Sequence, residues 1–300
     1  MTNKLRPLLA TEVKNLKDLK LPMLASVKLD GIYALIVDGV IYSRSFKPIK
    51  NKHVQKLFGN RDLNGLVGEL VCGDVYAEDV FRQTTTATMA EDGVNDVKLY
   101  VFDDWSVGDK PYQERYQHYQ RRIKALNHGS IIALEHNMLH TIDEVITALD
   151  KEQKRNGEGI ILRLPSAKWK NGRSTPKSQE SVKLKFFEQQ EYKIVDVVER
   201  MHNANEAKVN ELGYTERSSH KDNMIPMNTF GAFVMELQDG RNFNVGSGLG
   251  LTDAVRKEIW NNRDKYIGKI ATVRQMKVGS KNGIPRLPTF VGLRDNDDMS

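Results

Sequence analysis

Two Asp-Gly pairs, each between two apolar runs, constrain the fold of this chain most strongly. Asp38-Gly39 separates IYALIV from VIYS, and Asp239-Gly240 separates FVMELQ from RNFNVG. Such a pair predicts a β-hairpin, and for the first one we expect a type I′ turn, in which both central residues have positive φ. The two hairpins lie in opposite halves of the chain, so we expect antiparallel sheet in both halves.

The chain has 300 residues, a length that favours two domains. The first half contains further strand-like runs and helical segments, one of which should begin at a capping box formed by Thr141 and Glu144. The polar stretch EQQE after Phe187 indicates a linker, and several short strands with one helix follow it. We therefore predict an α+β fold, with a first domain over residues 1–188 and a small β-barrel domain over residues 189–300.

The composition excludes several classes of protein. Cys72 is the one cysteine, so the chain can form neither an internal disulfide nor a cysteine-rich zinc site. The N-terminal residues lack the apolar core of a secretion signal, and no apolar run is long enough to span a membrane. We expect a monomer without a membrane partner, in the cytoplasm or, in a eukaryotic host, the nucleus.

The positive charge is concentrated in three tracts. The net charge is +6, and six Lys/Arg lie in residues 42–61, six in 168–185 and five in 270–294, against one acid, Glu180. Three basic tracts far apart in sequence can line one track for a polyanion, which favours a nucleic-acid partner over three solvated faces. With such a partner, the small barrel is expected to be an OB-fold.

Lys28 lies in the mostly apolar stretch SVKLDGIY. An ammonium buried there without a partner would cost several kcal/mol, so Lys28 either points to solvent or acts as a reagent. Three further signals follow in order: GEL (68–70) with YVFDDW (100–105), EGIILR (158–163) and KLK (183–185). Each is weak alone, but their shared order makes coincidence improbable.

This set of motifs resembles the covalent nucleotidyltransferases, which comprise DNA ligases, RNA ligases and capping enzymes. SRSFKPIKN (43–51), FRQTTTATM (81–89), GYTERSSHK (213–221) and MKVGSKNGIPRLPTFVGLR (276–294) are similar to the minimal viral ATP-dependent DNA ligases, especially the Chlorella-virus type. The resemblance covers nearly the whole chain. It implies a nucleotidyltransferase (adenylation) domain with antiparallel sheets, followed by an OB domain in which residues 202–230 form a latch-like β-hairpin.

The resemblance also implies the chemistry. Lys28 would attack the α-phosphate of ATP and carry AMP, with Asp30, Lys183 and Lys185 in support. A free lysine, with a pKa of about 10.4, is mostly protonated at neutral pH, so burial or nearby positive charge must activate it. Alternation along KLK sends both of its lysines to one face of a strand. The nucleotide-binding set would be Glu69, Phe102, Arg44, Glu158, Arg173 and Asp103, with Glu158 and Glu69 also binding Mg²⁺.

The implied partner is nicked double-stranded DNA, whose 3′-OH and 5′-phosphate ends the enzyme would join through an adenylated 5′ end. The cofactor would be ATP. NAD-dependent ligases need an extra N-terminal module, for which this chain has no room, and usually a zinc finger, for which its one cysteine is not enough. The DNA-binding set would be Ser43, Arg44, Thr84, Thr85, Arg173, Tyr214 and Arg217.

Two departures from the family pattern stand out. The first motif of the family usually ends in arginine, whereas this chain has Tyr33, and we expect this tyrosine to leave a nick-phosphate contact unmade. The last motif, LRDNDDMS, offers Asp298 to orient pyrophosphate without the usual basic-acid-basic spacing. The alternatives are an RNA ligase, a GTP-dependent capping enzyme and a non-catalytic OB-type nucleic-acid binder.

Overall fold

A computed structural model describes residues 5–13, 15–281 and 283–294; Asp298 therefore lies outside the described residues. The chain divides into two compact units between Phe186 and Phe187. No helix in the described ranges is long and apolar enough to cross a membrane.

The first unit contains two antiparallel sheets and four α-helices among its described residues. Its elements are β1 (Leu8–Leu9), β2 (Met23–Val27), β3 (Ile32–Val37), β4 (Val40–Ser43), α1 (Lys52–Phe58), β5 (Leu66–Cys72), α2 (Val80–Met89), β6 (Val97–Asp104), α3 (Tyr112–Leu126), β7 (Ile131–Ala133), β8 (Asn137–Leu139), α4 (Ile142–Lys154), β9 (Gly159–Arg163), β10 (Gly172–Arg173) and β11 (Ser181–Lys185).

One sheet has the strand order β4-β3-β5-β6-β7, and the other has the order β11-β9-β2-β8. Strand β7 joins its neighbour in parallel, and β1 and β10 form a separate parallel pair. Each sheet buries its own apolar cluster, one around Phe58, Leu66 and Tyr119 and the other around Met23, Leu162 and Val182. Of the polar motifs, KLDG lies at the end of β2 and EGIILR starts just before β9, whereas GEL lies within β5 and YVFDDW along β6.

Local signals in the first unit were read correctly from the sequence. Asp38 and Gly39 have φ values of 51° and 79°, as the type I′ turn between β3 and β4 requires. Helix α4 begins at Thr141, whose hydroxyl accepts a hydrogen bond from the Glu144 amide at 3.2 Å. The Glu144 carboxylate reaches back to the amide of His140, one residue before the cap. The capping box therefore fixes the start of this helix.

The second unit is an OB-like five-stranded sheet with one packed α-helix. Its elements are β12 (Phe187–Asn203), β13 (Ala207–Val209), β14 (Thr215–Arg217), β15 (Met224–Glu236), β16 (Asn242–Val245), α5 (Asp253–Asn261), β17 (Ile270–Lys281) and β18 (Ile284–Leu293). The strand order is β16-β15-β12-β17-β18. One bridge, Gly248 to Phe290, joins the two edges, and the described strands do not close into a continuous barrel.

The interpretation of EQQE as a linker was wrong. These residues form the start of β12 and pair with β17 in the register Glu188↔Gln275 to Glu191↔Thr272. Three of the four side chains are exposed, and polar contacts add to the backbone ladder, from Gln275 Nε2 to the Glu188 carboxylate at 3.0 Å and from Arg294 to Glu191, so a polar sequence is sufficient for this part of the strand.

The polar segment 202–230 forms a β-ribbon that projects from this sheet. Strands β12 and β15 remain paired as far as Asn203↔Met224, and β13 and β14 form a smaller hairpin beyond them. Residues of β13 and β14 are exposed. The ribbon lacks a buried face, which explains why its sequence lacks the apolar alternation of an ordinary strand.

Aromatic and charged side chains form a buried polar layer beneath β6. His136 lies among the rings of Tyr112, Tyr116 and Tyr119 and hydrogen-bonds the Tyr112 hydroxyl at 3.0 Å. Burial, with a contribution from Arg163, lowers the pKa of His136 to about 3. The folded chain therefore keeps this imidazole neutral across the ordinary pH range.

His136 should make the first unit sensitive to acid. In the unfolded chain this histidine titrates near pH 6.5, so between pH 6.5 and about 3 the unfolded chain binds the extra proton and the free energy of unfolding falls as the pH falls. We expect the stability advantage of the wild type over His136→Gln to shrink by up to about 3 kcal/mol between pH 7 and pH 4.

The measurement is urea unfolding of the full chain in a Trp260→Phe background, in which the fluorescence of Trp105 and Trp169 follows the first unit only. The exposed His140, changed to Gln, serves as the matched control and should leave the pH dependence in place. A difference between wild type and His136→Gln that stays constant with pH would contradict the assignment.

Candidate active site

A cavity of about 200 Å³ opens in the first unit and is lined by residues of both sheets. Strand β9 is the centre of the four-stranded sheet, with Val27 of β2 opposite Ile160 and Lys185 of β11 opposite Gly159. This register brings the residues just beyond three strand ends to one place. The charged and aromatic side chains that line the cavity are Lys28, Tyr33, Arg44, Glu69, Phe102, Arg163, Arg173, Lys183 and Lys185.

Two glycines let the backbone approach closely around Lys28. The Lys28 amide donates to the Gly159 carbonyl at 2.9 Å. A Cβ at Gly31 would lie 2.1 Å from the Leu70 carbonyl oxygen, and one at Gly159, where φ is +142°, would lie 2.0 Å from that of Leu184. The glycines of KLDG and EGIILR are therefore required by the packing of the strands around the lysine.

Glu158 is the counterion of two lysines. Its carboxylate accepts from Lys28 Nζ and, at 2.6 Å, from Lys185 Nζ, while only 3% of the Glu158 side chain is exposed. Burial alone would raise the pKa of Glu158, but the two ammonium groups outweigh it and hold the pKa below its usual range. Burial, together with the charge of Lys28, lowers the pKa of Lys185.

Lys183 lies on the same strand face as Lys185 but has a different partner. Its ammonium is 3.1 Å from the Glu12 carboxylate, and the side chain is 24% exposed. The sequence alternation correctly placed both lysines at one cavity, whereas Glu12 gave no signal in the sequence. This side of the cavity thus carries three ammonium groups, enough to bind a polyphosphate.

Glu69 and Phe102 lie on neighbouring strands of the other sheet. Burial raises the pKa of the Glu69 carboxyl to about 8, although Lys28 opposes that shift. The Phe102 ring is half-buried, with the Arg163 guanidinium 4.8 Å from its centroid. An aromatic face and a carboxyl next to three ammonium groups form a polarity pattern that fits a nucleotide, with base, sugar and phosphates in turn.

Asp103 does not line the cavity, contrary to its place in the nucleotide-binding set. It is fully buried in a two-point ion pair with Arg115, at 2.8 and 3.1 Å, and lies 3.4 Å from Arg163. Its carboxylate positions the arginine that backs Phe102. Asp30 is half-buried and also lies outside the lining, but it is close enough to Glu69 to contribute to the raised pKa of that carboxyl.

Residues of the expected DNA-binding set in the first unit separate into two groups. Arg44 and Arg173 are exposed and line the cavity, and Arg173 also donates to the Ala10 carbonyl at 2.8 Å. Ser43 lies at the end of β4 and hydrogen-bonds the Lys47 carbonyl at 3.0 Å. These three positions are compatible with a phosphate contact.

Thr84 and Thr85 do not fit a DNA contact. Thr84 is fully buried, and its hydroxyl accepts from the Cys72 amide at 2.9 Å, which fixes α2 on β5. The Thr85 hydroxyl is also buried. The helical period of α2 turns Thr84 inward, and the half-buried Thr85 keeps its hydroxyl covered, so neither hydroxyl is placed for the predicted DNA contact.

In the second unit, Tyr214 and Arg217 belong to the β13–β14 hairpin. Tyr214 is 53% exposed. Arg217 donates to the Asn205 carbonyl and so supports the base of the hairpin itself. The tyrosine is therefore the better placed of the two for a partner.

The carboxylates can hold a metal only with help from a ligand. Among the described residues, no group of three or more His, Cys, Asp and Glu side chains has the spacing of a metal site. Glu158 and Glu69 lie near enough for the charge of one to raise the pKa of the other. Mg²⁺ is commonly bound by one or two carboxylates together with substrate phosphates, so this pair fits that ion.

Asp103→Asn should destabilise the first unit by about 3–5 kcal/mol, because it leaves two buried guanidinium groups without their shared charge. Urea unfolding followed by Trp105 and Trp169 fluorescence measures this loss. The exposed Asp109, changed to Asn, is the matched control and should change the free energy of unfolding by less than about 0.5 kcal/mol. A loss below about 1 kcal/mol in Asp103→Asn would show that the layer does not depend on this carboxylate.

Comparison with known proteins agrees with this geometry. Residues 7–185 match the family model of the ATP dependent DNA ligase domain, and residues 226–294 match that of the DNA ligase OB-like domain. No curated protein sequence gives a significant match.

Solved structures extend the likeness to nearly the whole chain. Two crystal structures of Chlorella virus DNA ligase-adenylate are 26% and 28% identical, with TM-scores of 0.54 and 0.55; they cover 96% and 98% of this chain and 99% of their own. A structure from a study of Lig E DNA ligases, 20% identical with a TM-score of 0.69, covers 96% of this chain and 99% of its own and shares the fold. The chain described here belongs to the ATP-dependent DNA ligase family.

Proposed function

We propose that this ligase seals nicks in duplex DNA that carry a 3′-OH and a 5′-phosphate, acting as a monomer through a lysine–AMP adduct on Lys28. The observation that carries the proposal is the position of Lys28, beside Glu158 and Lys185 at one end of a cavity that has an aromatic face at the other. The same residues would serve all three steps, since AMP stays in this cavity until the nick is sealed.

In the first step, Lys28 Nζ forms a bond to the α-phosphorus of ATP as the bond to pyrophosphate breaks. The amine must first lose a proton and leave its pair with Glu158, because an ammonium has no lone pair. Lys185 and Lys183 would bind the phosphate oxygens as negative charge gathers on them. The 5′-phosphate of the nick would then take AMP as the bond from Lys28 to phosphorus breaks, and the 3′-OH would attack that 5′-phosphate and expel AMP.

The sugar and the base would lie against the other sheet. Glu69 would accept hydrogen bonds from the ribose hydroxyls, and the Phe102 ring would stack on adenine. Glu158 and Glu69 would hold Mg²⁺, which when bound neutralises phosphate charge. Arg44 and Arg173, exposed at the cavity and always charged, would grip the 5′-phosphate of the nick, with Ser43 as a hydroxyl donor.

Lys28→Ala should abolish the covalent protein–AMP adduct while the chain still joins a nick that already carries AMP on its 5′ end, because that last step needs no lysine nucleophile. The measurement is transfer of label from α-labelled ATP to protein with Mg²⁺, followed by sealing of a pre-adenylated nick on a denaturing gel. Lys20→Ala, at an exposed lysine, is the matched control and should retain both activities. Normal adduct formation by Lys28→Ala would refute the assignment.

The same assay tests the substrate. ATP should label the protein and GTP should not, and the nick in DNA should be sealed faster than the same nick in RNA. A preference for nicked RNA would indicate an RNA ligase, and labelling by GTP would indicate a capping enzyme.

The hairpin of β13 and β14, at the end of the ribbon, should be a DNA-contacting latch. It extends beyond the paired part of β12 and β15, exposes Tyr214 and Val209, and carries Lys208 and Arg217 beside Glu211 and Glu216, so it offers apolar and polar groups without a core of its own. A ribbon of this kind can order on a partner and add contact area to it.

Replacing residues 204–222 by a short Gly-Ser turn joins Asn203 to Asn223 beside the last paired register of β12 and β15, which preserves the sheet. Formation of the Lys28–AMP adduct should be unchanged, because the cavity lies in the first unit. Affinity for nicked duplex, measured by gel shift against intact duplex, should fall at least about tenfold, a change of about 1.4 kcal/mol. Unchanged nick affinity would show that the ribbon is not a latch.

A further inference from the structure

The hydroxyl of Tyr33 is buried in the cavity and has no hydrogen-bond partner within the ranges that the structure describes. A buried polar group without a partner costs about 1–3 kcal/mol, so such a group calls for an explanation. Tyr33 stands at the position where the family motif usually has arginine. The burial of its hydroxyl raises the further question of what this tyrosine binds.

The neighbours of Tyr33 place its hydroxyl at the base end of the cavity. Tyr33 on β3 pairs with Glu69 on β5, and its ring centroid is 5.8 Å from that of Phe102, with the planes tilted by 56°. Burial raises the pKa of Tyr33 above its ordinary value, and the charges that modify this shift belong to Arg163, Asp103 and Glu69. The three lysines of the phosphate end are absent from that group.

The hydroxyl is therefore an uncharged hydrogen-bond donor with no acceptor among the described residues. Burial keeps the phenol protonated at neutral pH. A second donor, Arg163 Nε, is also buried without a partner in the described part of the chain, while the guanidinium lies 4.8 Å from the Phe102 centroid and 5.0 Å from the Tyr112 centroid. Because Arg163 lies behind Phe102, the Tyr33 hydroxyl is the donor beside the open aromatic face, and it matches an acceptor nitrogen on the edge of an adenine ring.

We propose that Tyr33 is a nucleotide-positioning residue whose hydroxyl donates a hydrogen bond to a ring nitrogen of the adenine that stacks on Phe102. This inference rests on the proposed function of the cavity as the ATP and AMP site. It makes position 33 part of base recognition in this chain and leaves the nick phosphate to the exposed arginines at the cavity.

Tyr33→Phe removes one oxygen atom and keeps the ring, so it isolates the hydrogen bond. The affinity for ATP, measured by calorimetry on the full chain, should fall about 3- to 10-fold, the effect of one neutral hydrogen bond. The rate of Lys28–AMP formation at saturating ATP should change less than the affinity. Tyr100→Phe, two residues before Phe102 on β6 and outside the cavity lining, is the matched control and should bind ATP like the wild type.

Ring analogues identify the acceptor. ATP, 1-deaza-ATP, 3-deaza-ATP and 7-deaza-ATP are compared on wild type and Tyr33→Phe. One deaza analogue should bind the wild type more weakly by the same factor as the mutation does, and the two proteins should then bind that analogue equally. With 2′-deoxy-ATP the difference between the two proteins should persist.

Three outcomes would overturn the proposal. Equal ATP affinity of wild type and Tyr33→Phe would show that the hydroxyl binds no part of the nucleotide. A difference that survives all three deaza analogues would place the contact off the base. A loss of affinity for a 5′-phosphorylated nick with normal ATP affinity would place the hydroxyl on DNA. Failure of the wild type to form an adduct would count against the proposed function, whereas ATP binding by calorimetry tests Tyr33 independently of catalysis.

Discussion

The ion pair of one buried carboxylate with two lysines organises the active site. Glu158 lies just before β9, between the end of β2 that carries Lys28 and the end of β11 that carries Lys185. Without this carboxylate, the ammonium groups of Lys28 and Lys185, whose side chains are only 18% and 12% exposed, would lie close together in a partly desolvated cavity with no counterion. With it, Lys28 and Lys185 are held together at one side of the cavity, where the proposed function needs a nucleophile and a phosphate-binding cation.

A second group of charged residues lies behind the Phe102 ring and supports it. Asp103 holds Arg115 and Arg163, and the Arg163 guanidinium lies between the rings of Phe102 and Tyr112. Arg115 is further fixed by the carbonyls of Lys110 and Ala167, at 2.8 and 2.9 Å. The Phe102 ring is thus backed by an ionic layer in which Asp103 and two backbone carbonyls hold Arg115, and Asp103 holds Arg163.

The sequence was informative where chemistry is encoded locally and less so where it depends on pairing across the chain. The turn at Asp38-Gly39 and the cap at Thr141 follow from conformational preferences of a few residues, and Lys28, Glu158 and Lys185 were found through their motifs.

Asp103 was misassigned because its partner Arg115 lies on another element, and no pattern within YVFDDW reports that an acid is fully buried. Thr84 was misassigned because a hydroxyl that satisfies a strand amide looks the same in sequence as one that faces a ligand. EQQE was misread because a backbone ladder can hold a strand whose side chains are polar.

The electrostatics of the base end explain why a tyrosine suits position 33. Asp103 pairs with both Arg115 and Arg163, so one carboxylate already faces two guanidinium charges, and burial raises the pKa of Glu69 to about 8, which keeps most of that carboxyl neutral at pH 7 until a cation binds there. A guanidinium at position 33 would add a third buried cation beside Arg163 with no carboxylate left to neutralise it, at a cost of several kcal/mol. A phenol supplies a donor without a charge. In the proposed function, negative phosphate groups would instead be bound by the three lysines and by the exposed arginines of the cavity, Arg44 and Arg173. Positive charge in the cavity therefore increases from Tyr33 and Phe102 towards the three lysines, just as the negative charge of a nucleotide increases from its base to its phosphates.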